Sequence, residues 1–154
     1  MSVVIRPSQP VDAPRIADLV SGILKREFPA DQKAYPAEDL QRIAEHYQGP
    51  GSTFLVAEDG RKIVGTCGVK QESPKTAILR RLFVDPSCRG KGVGSLLLKE
   101  ALEFCRAQGF REVVIRTSSN MGQAIRLCSA LGFKEQGRWT LGGVTLLRLH
   151  LKLV

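Results

Sequence analysis

The chain has 154 residues, 43% of them hydrophobic and 25% charged, with a formal net charge of +8. That length and balance fit one globular domain over residues 1–154, with enough apolar material for a sizeable core, and they exclude wholesale disorder. The charge excess favours an anionic partner, but the basic residues form no run and aromatic residues are only 6%, so nucleic acid is set aside.

In chain order, "SVVIRP" predicts a short strand stopped by Pro7. "VDAPRIADLVSGILKREF" puts Ile16, Leu19, Val20, Ile23, Leu24 and Phe28 at helical spacing, with Asp12 as N-cap and Pro14 in the first turn. After the polar "FPADQKAYPAED", a second helix carries Leu40, Ile43, Ala44 and Tyr47 on one face, and "QGPGS" ends it. "TFLVAEDGRKIVGTCGV" reads as a hairpin turning at Asp59-Gly60. "SPK" separates it from the strand "TAILRRLFV", which Asp85-Pro86 closes.

A glycine-rich turn, "CRGKGVGS", then leads into a helix with Val93, Leu97, Ala101, Phe104 and Cys105 on one face and Leu96 and Leu98 widening it. Gly109 stops that helix. "EVVIRT" is a strand buried on both faces through Val113, Val114 and Ile115. "MGQAIRLCSALGF" is a helix ending at Gly132, and the chain closes on a hairpin at Gly142-Gly143. The expected order is β-α-α-β-β-β-α-β-α-β-β, an α/β class with a mixed sheet.

Four cysteines, at 67, 88, 105 and 128, make no C-x-x-C, and His46 and His150 lie far from them, so no metal site is expected. They read as free thiols of a reducing compartment. "MSVVIRPSQP" contains no apolar leader segment and no run reaches the ~20 apolar residues of a membrane span, so the expectation is a soluble cytoplasmic protein without a membrane partner.

The turn carries the chemistry. Helix N-terminal amides lack intrahelical partners and sit at the positive end of the helix dipole, so they bind phosphate. Gly90, Gly92 and Gly94 allow close backbone approach, and Arg89 and Lys91 add charge. The P-loop spacing G-x-x-x-x-G-K-S/T is absent, as is G-x-G-x-x-G: Ser95 follows Gly90 and Gly92, and Leu97 follows Gly92 and Gly94, where a third glycine is required.

Arg89, Gly92 and Gly94 match R/Q-x-x-G-x-G/A, and the stretch "RRLFVDPSCRGKGVGSLLL" resembles the strand, coenzyme A loop and helix of the GNAT acyltransferase superfamily. "AIRLCSALGF" is similar to that family's later helix, and "FLVAEDGRKIVGTCGV" to its central hairpin. The likeness covers most of the chain. It implies acetyl-CoA as co-substrate and acetyl transfer to a primary amine of a small molecule or peptide, by direct attack; a CoA-binding sensor without catalysis is the alternative. It assigns the pantetheine arm to the backbone of Leu82, Phe83 and Val84, and the pyrophosphate to Arg89, Gly90, Lys91, Gly92, Val93, Gly94 and Ser95. An amide near Phe83 or Val84 would stabilise the oxyanion. Homodimers are common among similar proteins.

Two departures leave the proton transfers open. Cys128 stands where the family usually has a tyrosine acid, and reads either as a thiol donor or as a small core residue. Ile78 stands where some relatives have a glutamate. Glu72 is then the candidate base, with a solvated turn carboxylate as the other reading, and His46 and Glu27 are weaker candidates. Asn120 either caps the following helix, with Gln123 completing a capping box, or bonds the pantetheine. Trp139 either lines the acceptor cleft or packs. Glu27, Asp31, Glu38 and Asp39 make "REFPADQKAYPAEDL" acidic, which points to a cationic amine acceptor.

Overall fold

The computed structural model describes residues 2–34 and 38–153. Seven strands form one mixed sheet in the order β1-β2-β3-β4-β5-β7-β6. They are β1 (Val3–Pro7), β2 (Thr53–Asp59), β3 (Lys62–Ser73), β4 (Thr76–Val84), β5 (Glu112–Ser118), β6 (Lys134–Leu141) and β7 (Val144–Lys152). Helices α1 (Ala13–Glu27), α2 (Glu38–Gln41) and α3 (Ile43–His46) pack on one face of the sheet; α4 (Val93–Ala107) and Cys128 of α5 (Gly122–Ala130) pack in the cluster on the other. The expected α/β class and mixed sheet are present, and both anticipated hairpins turn on left-handed glycines, Gly60 (φ 64°) and the pair Gly142 (φ 57°) and Gly143 (φ 82°).

Two apolar clusters hold the layers together. Leu97, Leu98, Ala101 and Cys105 of α4 bury against Val69, Leu79, Val113 and Ile115. Ile16, Val20 and Ile23 of α1, each fully buried, pack with Phe54, Val56, Ile63 and Phe83. Each such side chain contributes about 1.5–3 kcal/mol by leaving water. Leu96, expected to widen the α4 face, is instead exposed.

Two local expectations are corrected. Asp12 stands before α1, but its carboxylate accepts from Arg6 (2.7 and 3.0 Å) and from the Gln9 amide (2.7 Å) rather than from an α1 amide. Arg6 also reaches Glu58 (3.1 Å), so this carboxylate ties β1, β2 and the helix start together. The anticipated second helix is two short segments broken at Arg42 (φ −137°), with Ala44 exposed and Leu40, Ile43 and Tyr47 buried. Around the break, the Tyr47 hydroxyl donates to Asp39 (2.7 Å), and Asp39 accepts from Arg81 Nε (3.1 Å) and Nη2 (2.6 Å). Tyr35, Pro36 and Ala37 of the acidic connection lie outside the described residues.

Arg81 marks a bulge in β4. On β3, Thr66 faces Phe83 and Gly68 faces Arg80, so Arg81 and Leu82 together oppose Cys67. Arg81 has φ 59°, a left-handed backbone that costs a non-glycine residue about 1–2 kcal/mol. Its carbonyl accepts from Thr66 Oγ1 (2.7 Å), and its side chain is held by Asp39.

Candidate functional site

β4 and β5 run parallel, with Thr76 to Leu79 paired to Glu112 to Ile115. The ladder ends there. β4 continues through residues 80–84, while residues 116–118 of β5 pair onward with β7. The strands diverge, and a cleft of about 950 Å³ opens from the gap. Leu82, Phe83 and Val84 line it on the β4 side, the glycine turn and the start of α4 at one end, and residues 120–124 with Arg126, Leu127 and Ala130 along α5.

The turn is built as its sequence demands. Asp85 Oδ1 accepts from the Ser87 amide (2.9 Å) and hydroxyl (2.7 Å), fixing the short turn after β4. Gly90 (φ 76°) and Gly92 (φ 84°) are left-handed, with open space where a Cβ would stand. Gly92 is the N-cap of α4, and Gly92, Val93, Gly94 and Ser95 all line the cleft. The combination fits a pyrophosphate: open backbone and a helix start, at the end of a cleft of about 950 Å³.

Gly94 lines the cleft without the left-handed backbone of Gly90 and Gly92, and has a packing role besides. A Cβ there would meet Leu127 Cδ2 at 2.8 Å and Val84 Cγ2 at 3.4 Å, so its missing side chain lets α4 approach α5 and β4. Lys91 is exposed and borders a separate depression with Val3, Val93 and Leu96. Arg89 lines the cleft, but its Nε donates to the Val84 carbonyl (3.1 Å) and its Nη atoms grip Glu27 in a bidentate pair (2.9 Å through Nη2). It fastens the turn to β4 and to the end of α1.

The proton-transfer candidates do not converge on the cleft. Cys128 is fully buried in the core, is not among the described cleft-lining residues, and burial pushes its thiol up to about 12. Glu72 is gripped by Arg148 (3.1 Å to Nη1), and this pairing holds its carboxyl below the usual range, which weakens it as a base. Glu27, the carboxylate among the described lining residues, is occupied by Arg89. Asn120 lines the cleft, but its amide donates to the buried Asp31 (3.1 Å); Met121 is the residue before α5, and no side chain caps that helix.

Sequence reasoning missed the contribution of α5. Met121, Gln123, Arg126 and Leu127 face the cleft alongside Ala124 and Ala130. The available signal was the i, i+4 relation of Gly122 and Arg126, whose guanidinium would meet a Cβ at position 122 at 3.0 Å.

This geometry defines a class, and comparison supplies the family. The Acetyltransferase (GNAT) family matches residues 18–133, and the chain belongs to it. Among curated relatives, human N-acetyltransferase 8B is 38% identical over 106 residues, covering 65% of this chain and 47% of that protein. Its rat counterpart is 34% identical over 124 residues, covering 73% and 56%. The chain thus spans about half the length of the curated relatives it matches. Among solved structures, a GNAT-family acetyltransferase from Staphylococcus aureus Mu50 superposes with TM-score 0.89 at 22% identity, covering 99% of this chain and all of that one. The yncA protein of Salmonella typhimurium, solved with its cofactor acetyl-CoA, superposes with TM-score 0.81 at 21% identity, covering 100% and 95%. No helix among the described residues is long and apolar enough to cross a membrane, and no group of three or more His, Cys, Asp or Glu among them is placed to hold a metal ion.

Proposed function

We propose that residues 1–154 act as one N-acetyltransferase domain that takes acetyl-CoA as co-substrate and acetylates the primary amine of a small molecule or peptide. The observation carrying this reading is the continuity of the diverging β4 edge with the left-handed glycine turn at the start of α4. Gly90, Gly92 and the first amides of α4 hold the pyrophosphate. The backbone of Leu82 to Val84 holds the pantetheine arm as a strand would. An amide on this edge, near Phe83 or Val84, donates to the developing oxyanion, a contribution of roughly 2.7–4 kcal/mol for one fixed donor. The acetyl group arrives as an activated thioester, so the domain's main work is to hold a neutral amine against it. Water takes the amine proton, because Glu27 is committed to Arg89 and Glu72 to Arg148, and CoA leaves as a thiolate that solvent protonates, because Cys128 is sealed in the core.

Calorimetry with acetyl-CoA and a free-thiol assay over an amine panel test the reading together. Saturable binding with amine-dependent thiol release is the expected result. Gly92→Asp, folded by circular dichroism, abolishes binding; unchanged affinity refutes the turn assignment. A CoA-binding sensor is the second reading, favoured by the absence of an uncommitted carboxylate among the described cleft residues. Tight binding without thiol release from any amine decides for it.

A further inference from the structure

The α1–α3 side of the sheet carries a row of arginines that the cofactor chemistry does not use. Arg116 of β5 lies directly opposite Arg148 of β7. Ile78 pairs with Val114 on the parallel strand, so Arg80 and Arg116, each two residues on, share a face on either side of the point where the strands part. Across β3, Arg80 faces Gly68, where a Cβ would strike the Tyr47 ring at 2.6 Å, which places this face on the α3 side. Gly137 stands opposite Arg148 on β6 and leaves the row open at that end.

Like charges on neighbouring strands destabilise a sheet. One carboxylate, Glu72, is paired with the row, through Arg148; Arg148 also takes Gln136 (2.9 Å). Glu112 lies along the same edge but is engaged by His150 (3.5 Å) and Thr76 (3.4 Å). Arg116 lies over the Trp139 ring at 6.0 Å, and Lys70 over Tyr47 at 5.6 Å, both contacts with neutral rings. Among the described residues, neither Arg80 nor Arg116 has a carboxylate within ion-pair distance. Meanwhile three of the acids expected to attract a cationic acceptor have partners: Glu27 is paired with Arg89, Asp39 with Arg81 and Tyr47, and Asp31 accepts from Asn120 through Oδ1, its Oδ2 having no hydrogen-bond partner among the described residues, while Glu38 is exposed.

The row also borders the point where β4 and β5 part, although its residues are not among the described residues lining the cleft. Arg80 is the first β4 residue beyond the last rung of the β4–β5 ladder, and it shares a face with Phe83, about 10 Å along the strand. An arginine side chain covers much of that distance. We infer that Arg80 and Arg116, flanked by Trp139, bind a carboxylate carried by the acceptor, so that the amine acetylated belongs to an amino acid with a free carboxyl group. This rests on the acetyltransferase reading and narrows its acceptor from any amine to an anionic one. Glu72 then acts as a counter-ion competing for the row, not as a base.

Matched pairs test this: the common amino acids against their amides, scored by thiol release and, with CoA bound, by calorimetry. The acids are expected to exceed their amides in kcat/KM by about 10- to 100-fold, the range for a charge-assisted pair. Arg116→Ala and Arg80→Ala collapse that ratio toward one while acetyl-CoA affinity holds. Glu72→Gln lowers KM for the acids, whereas loss of a base would lower kcat. Amides equal to acids, or a ratio that survives Arg116→Ala, overturn the inference, as does a tenfold loss of acetyl-CoA affinity in that variant. If no amine releases thiol, calorimetry still decides: arginine-dependent binding of the acids supports the anion site and refutes only the enzyme, and failure of every acid to bind refutes the site.

Discussion

Asp39→Ala removes the centre of the buried network that holds the β4 bulge. The carboxylate accepts three hydrogen bonds, two from Arg81 and one from Tyr47. Both charged side chains are nearly sealed from water, 5% and 10% exposed, so deleting one leaves a buried guanidinium without its carboxylate. Losing one partner of a buried pair costs about 3–5 kcal/mol, against a whole-domain stability of about 5–15. The melting temperature should fall by roughly 6–20 °C. Glu103→Ala, at a pair with Arg106 that is 48% and 69% exposed, is the control and should cost under ~1 kcal/mol. Urea unfolding gives both numbers. The double variant Asp39→Ala/Arg81→Met removes both charges and should be more stable than the sum of the single losses by over ~1 kcal/mol. A loss below ~1 kcal/mol for Asp39→Ala, or strict additivity, would refute the reasoning.

The same carboxylate sets an acid limit. Burial raises the Asp39 pKa, but hydrogen bonds from Arg81 and Tyr47 outweigh it and hold the group below 3.8; Arg6 holds Asp12 low in the same sense. A depressed folded value contributes stability above the unfolded pKa and loses it as pH falls through the folded one. Urea midpoints should therefore drop below about pH 3.8, with Asp39→Asn flattening the decline, and a flat wild-type curve contradicts this. Gly92→Ala forces a side chain into φ 84° and should cost about 1–2 kcal/mol with weaker acetyl-CoA binding, while Gly137→Ala, in open space, should cost under ~0.5 by the same unfolding assay. Cys128→Ala should lower stability by about 1–2 kcal/mol and leave kcat within about threefold; a loss above ~100-fold would restore the thiol as a proton donor.

The glycine turn was legible because its constraints are local. Two left-handed positions and a helix start within six residues need glycine there, and the flanking apolar runs show which strand and helix they join. Burial of Val113, Val114 and Ile115 was readable for the same reason, as an unbroken apolar run. What stayed hidden depends on strand order and register. Arg80, Arg116 and Arg148 are more than thirty residues apart in pairs and become neighbours only because β4, β5 and β7 are adjacent. The acidity of the α1–α2 connection was hard to weigh for a related reason: composition counts charges but not their partners, and Glu27 and Asp39 each have an arginine. Gly94 fits the motif, yet its constraint comes from Leu127, on a helix thirty residues away.

The bulge at Arg81 has a consequence for parity. Side chains on a strand alternate, so Arg80 and Phe83, an odd number of residues apart, would normally face opposite ways. The extra residue puts both on the α1–α3 face and turns Leu82 toward the α4 cluster. Deleting Arg81 would restore the alternation and carry Phe83 to the wrong layer. The alignment of Arg80 with Phe83 in the wall of the cleft thus depends on a single inserted residue, and insertion or deletion in residues 80–83 would disrupt it more thoroughly than substitution at any one of them.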